Sequence, residues 1–448
     1  METEDELAGG QVLGPVELPQ GSSIDVAPLE LEDGDLLVRR SILPGGVRLI
    51  TQQVPGTRAT TVGMWIGTGS RDESDAQAGA SHFLEHLLFK GTLRRTAKEI
   101  AETFDAVGGE SNAATSKEVT YYWAKTLDTD SGEAIETLTD MVTSSLLSGR
   151  DVETERTVIM DELSMAEDSP PDVAHEAFAR ALFGNGPLGR PIGGTTASVE
   201  QLEPEMIRDL YRSHYGADNL VVSVAGSVDH DAVIQRFSDA LEMSTWSLDP
   251  STPTKSRILN GEADPEPPME VVIGRDIEQA HILVGGNWLD VRDDRRPASN
   301  LLLTLLGGGM SSRLFQEIRE RRGLAYTTYA FDTAYLDAGY FGLYAGCAPG
   351  NVAEVEKIMW EQVERLAAGD LPQDELARVK GQLRGGLALG LEDSAARMVR
   401  LGRSELTGRF VSVDTALDRL EAVTAEQVCE LATLMLAQPR ARALVTNR

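Results

Sequence analysis

The sequence predicts two α+β domains that follow one another along the chain and share the same order of strands and helices. Three observations support this class. Segments that alternate apolar and polar residues, as half-buried strands do, are interleaved with segments whose apolar residues recur at helical spacing. The series runs twice, over two stretches of about 200 residues, which indicates an internal duplication. Between them, residues 246–268 are rich in Pro, Ser, Thr and acids, which is typical of a linker.

The chain opens with a segment that composition predicts to be a disordered acidic tail, residues 1–36, because it holds ten Asp or Glu and no Lys or Arg. The first domain, 37–245, follows. Its predicted elements are, in order, strands at 47–53 and 60–66, a helix that carries two histidines, a helix opened by the capping box of Thr96 and Glu99, strands at 111–114 and 119–127, helices at 132–147 and 151–166, a strand at 220–225 and a helix at 231–241.

The second domain, 269–448, repeats this order. Its predicted elements are strands at 270–273 and 280–288, helices at 298–306 and 312–321, strands at 325–330 and 340–345, helices at 351–366 and from 373 toward 401, a helix at 424–436 and a strand at 442–445. The two domains differ chemically. The second domain's helix that corresponds to the histidine helix reads Asn300-Leu-Leu-Leu-Thr-Leu-Leu and offers no metal ligand. We therefore expect it to support the first domain rather than to repeat its chemistry.

Composition narrows the function classes. Of 448 residues, 41% are hydrophobic, enough for packed cores, and no apolar run approaches the roughly 18 residues that span a bilayer. The net charge of -30 argues against a nucleic-acid partner and favours cationic peptides, although most of it is expected only to keep the protein soluble. Two cysteines are too few for a disulfide framework. Because the first residues lack the pattern of a secretory signal or transit peptide, we expect a cytoplasmic protein with no membrane partner.

The most informative motif is His82-Phe-Leu-Glu85-His86. Residues four apart on a helix are neighbours, so His82 and His86 can bind one ion with Glu85 beside the open coordination position. The arrangement is the zinc-protease motif HExxH in reverse. On the motif alone, the other interpretation is an amphipathic helix that carries two surface histidines.

A catalytic zinc site takes three protein ligands, so a third partner is needed. Glu155 and Glu162 lie seven residues apart, two turns along one face of the helix predicted at 151–166. Val158 and Ile159 share roughly that face, and carboxylates on a stripe that faces the core are costly unless they are bonded. Metal binding would offset that cost. A solvated acidic face is the alternative that spacing alone leaves open.

With these motifs the chain resembles the pitrilysin-type inverzincin metallopeptidases, especially bacterial relatives of the mitochondrial processing peptidase β subunit, from about Val38 onward. The family's distal glutamate corresponds to Glu162, since 75 residues lie between His86 and Glu162. The resemblance implies two homologous domains, each an antiparallel-rich β-sheet flanked by helices. It also implies a zinc endopeptidase in which His82, His86 and Glu162 bind Zn²⁺, Glu85 is the general base, and Glu155 assists without being a ligand.

The resemblance extends to substrate binding and assembly. Asn112 and Ala113 correspond to the family's edge strand, which pairs with the backbone of extended, unfolded peptides, and Gly307-Gly-Gly corresponds to its glycine-rich loop. Arg319 and Tyr326 match a pair that contacts substrate near the scissile bond in relatives. Relatives place four domains around a closed chamber and this chain supplies two, so a homodimer is expected. Two alternatives remain: a non-catalytic core subunit of a larger complex, and an enzyme that processes one precursor peptide.

Overall fold

A computed structural model describes residues 14–257, here called the first half, and residues 269–447, called the second half. The strands of the first half are β1 (Val16–Glu17), β2 (Leu29–Asp33), β3 (Leu36–Leu43), β4 (Val47–Gln53), β5 (Ala59–Ile66), β6 (Glu110–Thr115), β7 (Thr120–Leu127) and β8 (Leu220–Gly226). Its helices are α1 (Ala80–Leu87), α2 (Ala97–Ala106), α3 (Ser131–Ser144), α4 (Gly149–Glu167), α5 (Pro170–Phe183), α6 (Thr196–Gln201), α7 (Pro204–His214) and α8 (His230–Glu242).

The second half has the same kinds of element. Its strands are β9 (Glu270–Gly274), β10 (Ala280–Asn287), β11 (Ala325–Ala334), β12 (Gly339–Cys347), β13 (Arg409–Phe410) and β14 (Ala441–Thr446). Its helices are α9 (Arg296–Gly307), α10 (Val352–Ala367), α11 (Gln373–Gly390), α12 (Ser394–Thr407), α13 (Val413–Glu421) and α14 (Ala425–Ala437), with a π-helical turn at Phe315–Glu320.

Each half builds one sheet, and the two sheets have the same topology. The first sheet has seven strands in the order β2–β3–β4–β8–β5–β7–β6, and the second has five in the order β9–β14–β10–β12–β11. In both, the first and last strands of the repeated unit pair in parallel, β4 with β8 and β9 with β14, while the other pairs are antiparallel. This match confirms the prediction of two duplicated, antiparallel-rich α+β units.

The halves exchange one helix each. Helix α12 packs on strands β4, β5 and β8 of the first sheet, where its Met398 and Leu401 share a core with Trp65. A Cβ atom at Gly402 would overlap the Trp65 ring, so glycine is what allows this close approach. Helix α5 in turn packs on β9, β10 and β14 of the second sheet, where Phe178 joins the core. The predicted boundary at 246–268 therefore separates the two stretches in sequence but not in packing.

Polar contacts also join the halves. Buried Arg40 on β3 donates to Glu405 on α12 at 2.5 and 3.2 Å. Near the other end of the first sheet, Arg71 donates to both oxygens of Asp337 at 2.6 Å. Asp337 lies in the turn between β11 and β12, whose Leu336 N–H donates to Glu118 at 3.1 Å. Removing one partner of a buried pair such as Arg40 and Glu405 costs several kcal/mol, so this contact helps to fix how the halves sit together.

Three expectations need correction. Residues 14–36 are not a disordered tail: β2 pairs with β3, β1 pairs with β13, and the buried carboxylate of Asp33 accepts two hydrogen bonds from Arg400. Residues 1–13 lie outside the described residues, as do 258–268 of the predicted linker. The single long helix from Gln373 divides into α11 and α12, because Asp393 caps a new helix at Ser394. The helix predicted at 312–321 is present, but its turn at Phe315–Glu320 is π-helical.

Among the described helices, none has both the length and the apolar composition that crossing a bilayer requires.

Candidate metal centre

Helix α1 is held at its N-terminus by a buried acid that no sequence motif marks. Glu73 accepts hydrogen bonds from the Gly79 N–H at 2.9 Å and from the Ser81 N–H at 2.6 Å. Helix N-termini leave such donors unsatisfied, and a carboxylate there also suits the helix dipole. Burial raises the pKa of Glu73 to about 7, against the opposing effect of these two donors. The position of α1, and so of its histidines, is therefore anchored one residue before His82.

The apolar face of α1 explains which side chains are left for chemistry. Phe83, Leu84 and Leu87 are fully buried in the core of the first half. His82 and His86, four residues apart, fall on the remaining stripe and are partly exposed, with ring centroids 4.8 Å apart. The predicted juxtaposition of the two imidazoles is thus present.

Helix α4 brings the predicted third ligand to the same place. The Glu162 Oε2 atom lies 3.7 Å from His82 Nε2 and 3.4 Å from His86 Nε2. Ligand atoms of all three residues lie within 4.8 Å of one another. Two atoms that each lie about 2.0–2.1 Å from a tetrahedral zinc ion are roughly 3.3 Å apart, close to the two distances to Glu162. Two imidazole nitrogens and one carboxylate are also a donor set that zinc commonly takes.

The electrostatics of the two histidines suit metal ligation. Burial, with a smaller contribution from His86, lowers the pKa of His82 to about 4, so its ring is neutral and can offer a lone pair. His82 Nδ1 is buried and has no hydrogen-bond partner among the described residues. His86 Nδ1 lies 3.1 Å from Glu155 Oε2, so that nitrogen is the donor and Nε2 faces Glu162. These residues fit a bound zinc ion.

The two acids of α4 have different environments, as their predicted roles require. Glu155 is buried, with 3% of its side chain exposed, whereas 45% of the Glu162 side chain is exposed. Glu155 contacts His86 at Nδ1 and does not contact the Nε2 atoms that lie near Glu162. The alternative of a solvated acidic face therefore does not describe Glu155.

Glu85 lies on the same helix between the two histidines, and its carboxylate is held by the first sheet. The Thr115 hydroxyl at the end of β6 donates to Glu85 Oε2 at 2.5 Å. Burial raises the pKa of Glu85, and the hydrogen bond from Thr115 opposes that rise. A carboxylate with a raised pKa is a better proton acceptor near neutral pH than an exposed one.

Strand β6 places the predicted substrate-binding residues beside the metal centre. Asn112 and Ala113 pair with Trp123 and Tyr122 of β7, and β6 is the last strand of the first sheet, so its other edge has no strand partner among the described residues. The Ala113 N–H donates instead to the Asn112 side-chain oxygen at 2.8 Å. Helix α1 packs against β6. The free edge of β6 therefore lies beside the helix that carries the histidines.

The remaining predicted pair lies apart from this cluster. Arg319, on the π-helical turn, stacks its guanidinium 4.4 Å from the ring centroid of Tyr326, which is 73% exposed. Within the described residues, neither side chain forms a hydrogen bond or ion pair with a residue of α1 or α4. The structure thus brings Arg319 and Tyr326 to each other but not to the histidines.

Sequence reasoning singled out neither Glu73 nor Lys90, whose ammonium lies 2.5 Å from Glu155 Oε1, and it placed Thr115 only on the substrate-binding edge strand. Thr115 had a usable signal, because it lies two residues beyond Ala113 and side chains on one face of a strand recur every two residues. Glu73 lies in a loop and Lys90 follows the end of α1, so no periodicity marks either. Their roles come from tertiary contacts alone.

Comparisons with known proteins bear on the family of the chain. Residues 48–196 match the family described as "Insulinase (Peptidase family M16)", and residues 201–383 match "Peptidase M16 inactive domain". A Streptomyces coelicolor protein named an uncharacterized zinc protease is 46% identical over 91% of this chain and 89% of its own length. A Bacillus subtilis protein of the same description is 35% identical over 92% of this chain and 98% of its own length.

Solved structures share the fold. A protease from Helicobacter pylori superposes with a TM-score of 0.83 at 21% identity, covering 91% of this chain and 99% of that one. A Pseudomonas fluorescens structure described as a peptidase M16 inactive domain gives a TM-score of 0.80 at 17% identity, covering 94% of this chain and 99% of that one. At these identities the likeness bears on the fold, which it confirms.

Proposed function

The chain belongs to the M16 family of peptidases, and from that premise we propose that it is a zinc-dependent endopeptidase that cleaves unfolded or extended peptides. The observation that carries the proposal is the convergence of His82 Nε2, His86 Nε2 and Glu162 Oε2, beside the carboxylate of Glu85. Relatives named as zinc proteases, alignable over most of their length, support it.

The proposed chemistry assigns each residue near the centre a separate task. A zinc ion held by the three ligands would supply positive charge that acidifies water and polarises a peptide carbonyl. Glu85 accepts a proton from water at its carboxylate and passes it to the leaving amine. The Thr115 hydroxyl holds the carboxylate of Glu85 in place during both transfers. Glu155 orients His86 through Nδ1.

We assign substrate binding to the free edge of β6. An extended peptide that lies along Asn112 and Ala113 would pair its backbone with this edge, and its carbonyl would replace the Asn112 oxygen that now accepts from the Ala113 N–H. Such pairing needs unpaired backbone groups in the substrate. Folded proteins are therefore expected to resist cleavage.

Arg319 and Tyr326 are assigned to the stabilisation of the tetrahedral oxyanion, in a site completed by a second copy of the chain. Their separation from the histidine cluster, together with the exposure of Tyr326, supports a contribution across a dimer interface. A homodimer of two-unit chains would enclose two equivalent sites, which is the closed symmetry that most homo-oligomers adopt.

Basic peptides are the proposed preferred substrates, because the net charge is -30. Their cleavage should weaken as salt is added, since the Debye length falls to roughly 8 Å at physiological ionic strength and further above it. The same charge disfavours nucleic acid.

Metal analysis paired with a cleavage assay on a mixed peptide library tests the proposal. The purified protein should hold one zinc per chain, and chelation should abolish cleavage. His82→Ala should lower zinc to background, whereas the control His214→Ala, whose ring bonds Thr68, should keep it. Full zinc occupancy in His82→Ala would place the ion elsewhere. Zinc without cleavage of any peptide would favour the non-catalytic core subunit, and cleavage of one sequence only would favour a dedicated processing enzyme.

A further inference from the structure

A second charged side chain, Lys90, contacts Glu155 beside the metal centre. The Lys90 ammonium lies 2.5 Å from Glu155 Oε1, while Glu155 Oε2 lies 3.1 Å from His86 Nδ1. Each oxygen of this buried carboxylate thus has its own partner. The three side chains form a row of contacts that runs from the partly exposed Lys90 through Glu155 to His86, a proposed zinc ligand.

The backbone around Lys90 is fixed on both sides. Its N–H donates to the Leu87 carbonyl at 3.0 Å, which continues the last turn of α1. The next residue, Gly91, has a φ of 129°, a conformation that residues with a Cβ rarely adopt. The Gly91 carbonyl accepts from the Leu146 N–H at 3.1 Å, so the turn is tied to the segment before α4. The Lys90 side chain therefore extends from a fixed backbone position between α1 and the segment before α4.

The chain of contacts determines how His86 is presented. A carboxylate with one oxygen beside an ammonium and the other beside an imidazole nitrogen is restricted in its rotation about its last bond. Because Oε2 is aimed at Nδ1, that nitrogen carries the proton, and the lone pair of His86 Nε2 is directed at Glu162 Oε2, 3.4 Å away. His82 has no comparable support, since its Nδ1 lacks a hydrogen-bond partner among the described residues. The orientation of the two imidazole rings therefore depends mainly on the contacts of His86.

We infer that Lys90 is a positioning residue of the metal centre: its ammonium holds the Glu155 carboxylate so that His86 presents Nε2 to the ion. The inference rests on the proposed zinc site and adds a residue to it. Groups that orient a metal-ligating histidine typically change metal affinity by 10–100-fold when they are lost. A merely structural ion pair would instead stabilise the fold without changing zinc affinity.

The test is zinc affinity of the full chain, measured by competition with a chelator of known Kd. Lys90→Met should weaken zinc binding by about 10-fold or more, and Lys90→Arg should restore part of the loss. Lys98→Met is the matched control, because Lys98 is an exposed lysine that pairs only with Glu102 among the described residues and should leave the Kd unchanged. If Lys90→Met does not fold, Lys90→Gln, which is shorter than lysine and keeps an N–H donor without the charge, is measured instead.

A double substitution decides whether Lys90 acts through Glu155. Glu155→Gln alone should weaken zinc binding, and adding Lys90→Met to it should cause no further loss. Equal losses in both backgrounds would overturn the inference, as would an unchanged Kd in Lys90→Met accompanied by a lower Tm of the metal-free protein. Absence of zinc from the wild-type protein would instead refute the proposed function, so the two failures are distinguishable.

Discussion

Helix α1 of the first half and helix α9 of the second half occupy the same place in two sheets of the same topology. Each follows along the chain the strand that is third in the shared five-strand unit, β5 in β4–β8–β5–β7–β6 and β10 in β9–β14–β10–β12–β11. They are chemically opposite. Helix α1 buries one face and leaves His82, Glu85 and His86 on the other. Helix α9 is buried at almost every position from residue 301 to its end, at Leu301, Leu302, Leu303, Leu305 and Leu306.

The difference shows that the duplicated unit supplies a scaffold and not a site. A metal centre needs a helix with one uncovered polar stripe and a second helix that brings acids to it, as α4 does for α1. In the second half, α11, α13 and α14 pack against α9, and the polar residues that α9 leaves uncovered, Asn300 and Thr304, include no histidine or acid. On the covered sides of α9 leucine is favoured, because each buried side chain contributes roughly 1.5–3 kcal/mol of apolar burial.

The largest effect is expected from the one acid on α1. Glu85→Gln keeps the size of the side chain but removes the proton acceptor, so it should keep zinc and lose roughly 10²-fold or more of kcat/KM. Elemental analysis and peptide cleavage measure the two results. The control Glu102→Gln alters an exposed acid on α2 and should change neither.

The other acids sharpen this prediction. Glu162→Gln should lower zinc affinity as well as rate, and Glu155→Gln should fall between the two. If Glu85→Gln turns over peptide at nearly the wild-type rate, Glu85 is not the base, and α1 would differ from α9 only in binding a metal.

Local patterns predicted α1 and the spacing of its ligands because a helix places residues four apart on one face whatever surrounds it. The capping box at Thr96 likewise predicted the start of α2, which the structure confirms. The exchange of α5 and α12 between the sheets could not be predicted, since it depends on contacts between residues hundreds of positions apart, such as Arg40 with Glu405. The acidic composition of residues 14–36 led to the wrong prediction of disorder. The carboxylate of Asp33 in this segment instead forms an ion pair with Arg400 of α12.

The second half is expected to take part in catalysis across a dimer interface. A Glu85→Gln chain and an Arg319→Ala/Tyr326→Phe chain should each be nearly inactive. Mixed in equal amounts and allowed to exchange, they should recover about a quarter of wild-type activity, because half of the dimers are mixed and each has one intact site.

The control for this mixture is a chain that carries all three substitutions, mixed with the Glu85→Gln chain. It should recover nothing, since no dimer then holds an intact Glu85. Absence of recovery in the first mixture, with subunit exchange demonstrated, would mean that each chain completes its own site or that Arg319 and Tyr326 have no part in catalysis.

A smaller effect is expected from a leucine of α9, and it should fall on stability alone. Leu302→Ala removes a fully buried side chain and should lower the free energy of unfolding by about 2–5 kcal/mol while zinc content is unchanged. His86→Ala should do the reverse, losing zinc with little change in the stability of the metal-free protein. Urea unfolding of the metal-free chains, with elemental analysis of the loaded ones, measures both. Loss of zinc in Leu302→Ala would show that core packing in the second half affects the metal centre of the first half.

The smallest effect concerns histidines outside α1, which are neutral for a structural reason. His230 is buried, with Nε2 3.0 Å from the Ser41 hydroxyl and Nδ1 2.8 Å from that of Thr51. Burial lowers the pKa of His230, and the charged groups that act on it are Arg39, Asp231, Asp229 and Glu30. In the unfolded chain its pKa returns to about 6.5, so the unfolded state binds more protons below that pH.

It follows that the stability contributed by neutral His230 is fully present above roughly pH 6.5 and is lost as pH falls toward the lower pKa of the folded protein. Urea unfolding at a series of pH values should therefore show stability that rises with pH across this window. His230→Gln should reduce the slope without changing zinc content, because the amide does not titrate and lies away from α1. An unchanged slope would show that His230 is as free to take a proton in the folded protein as in the unfolded chain, and that its hydroxyl partners do not set it apart from the histidines of α1.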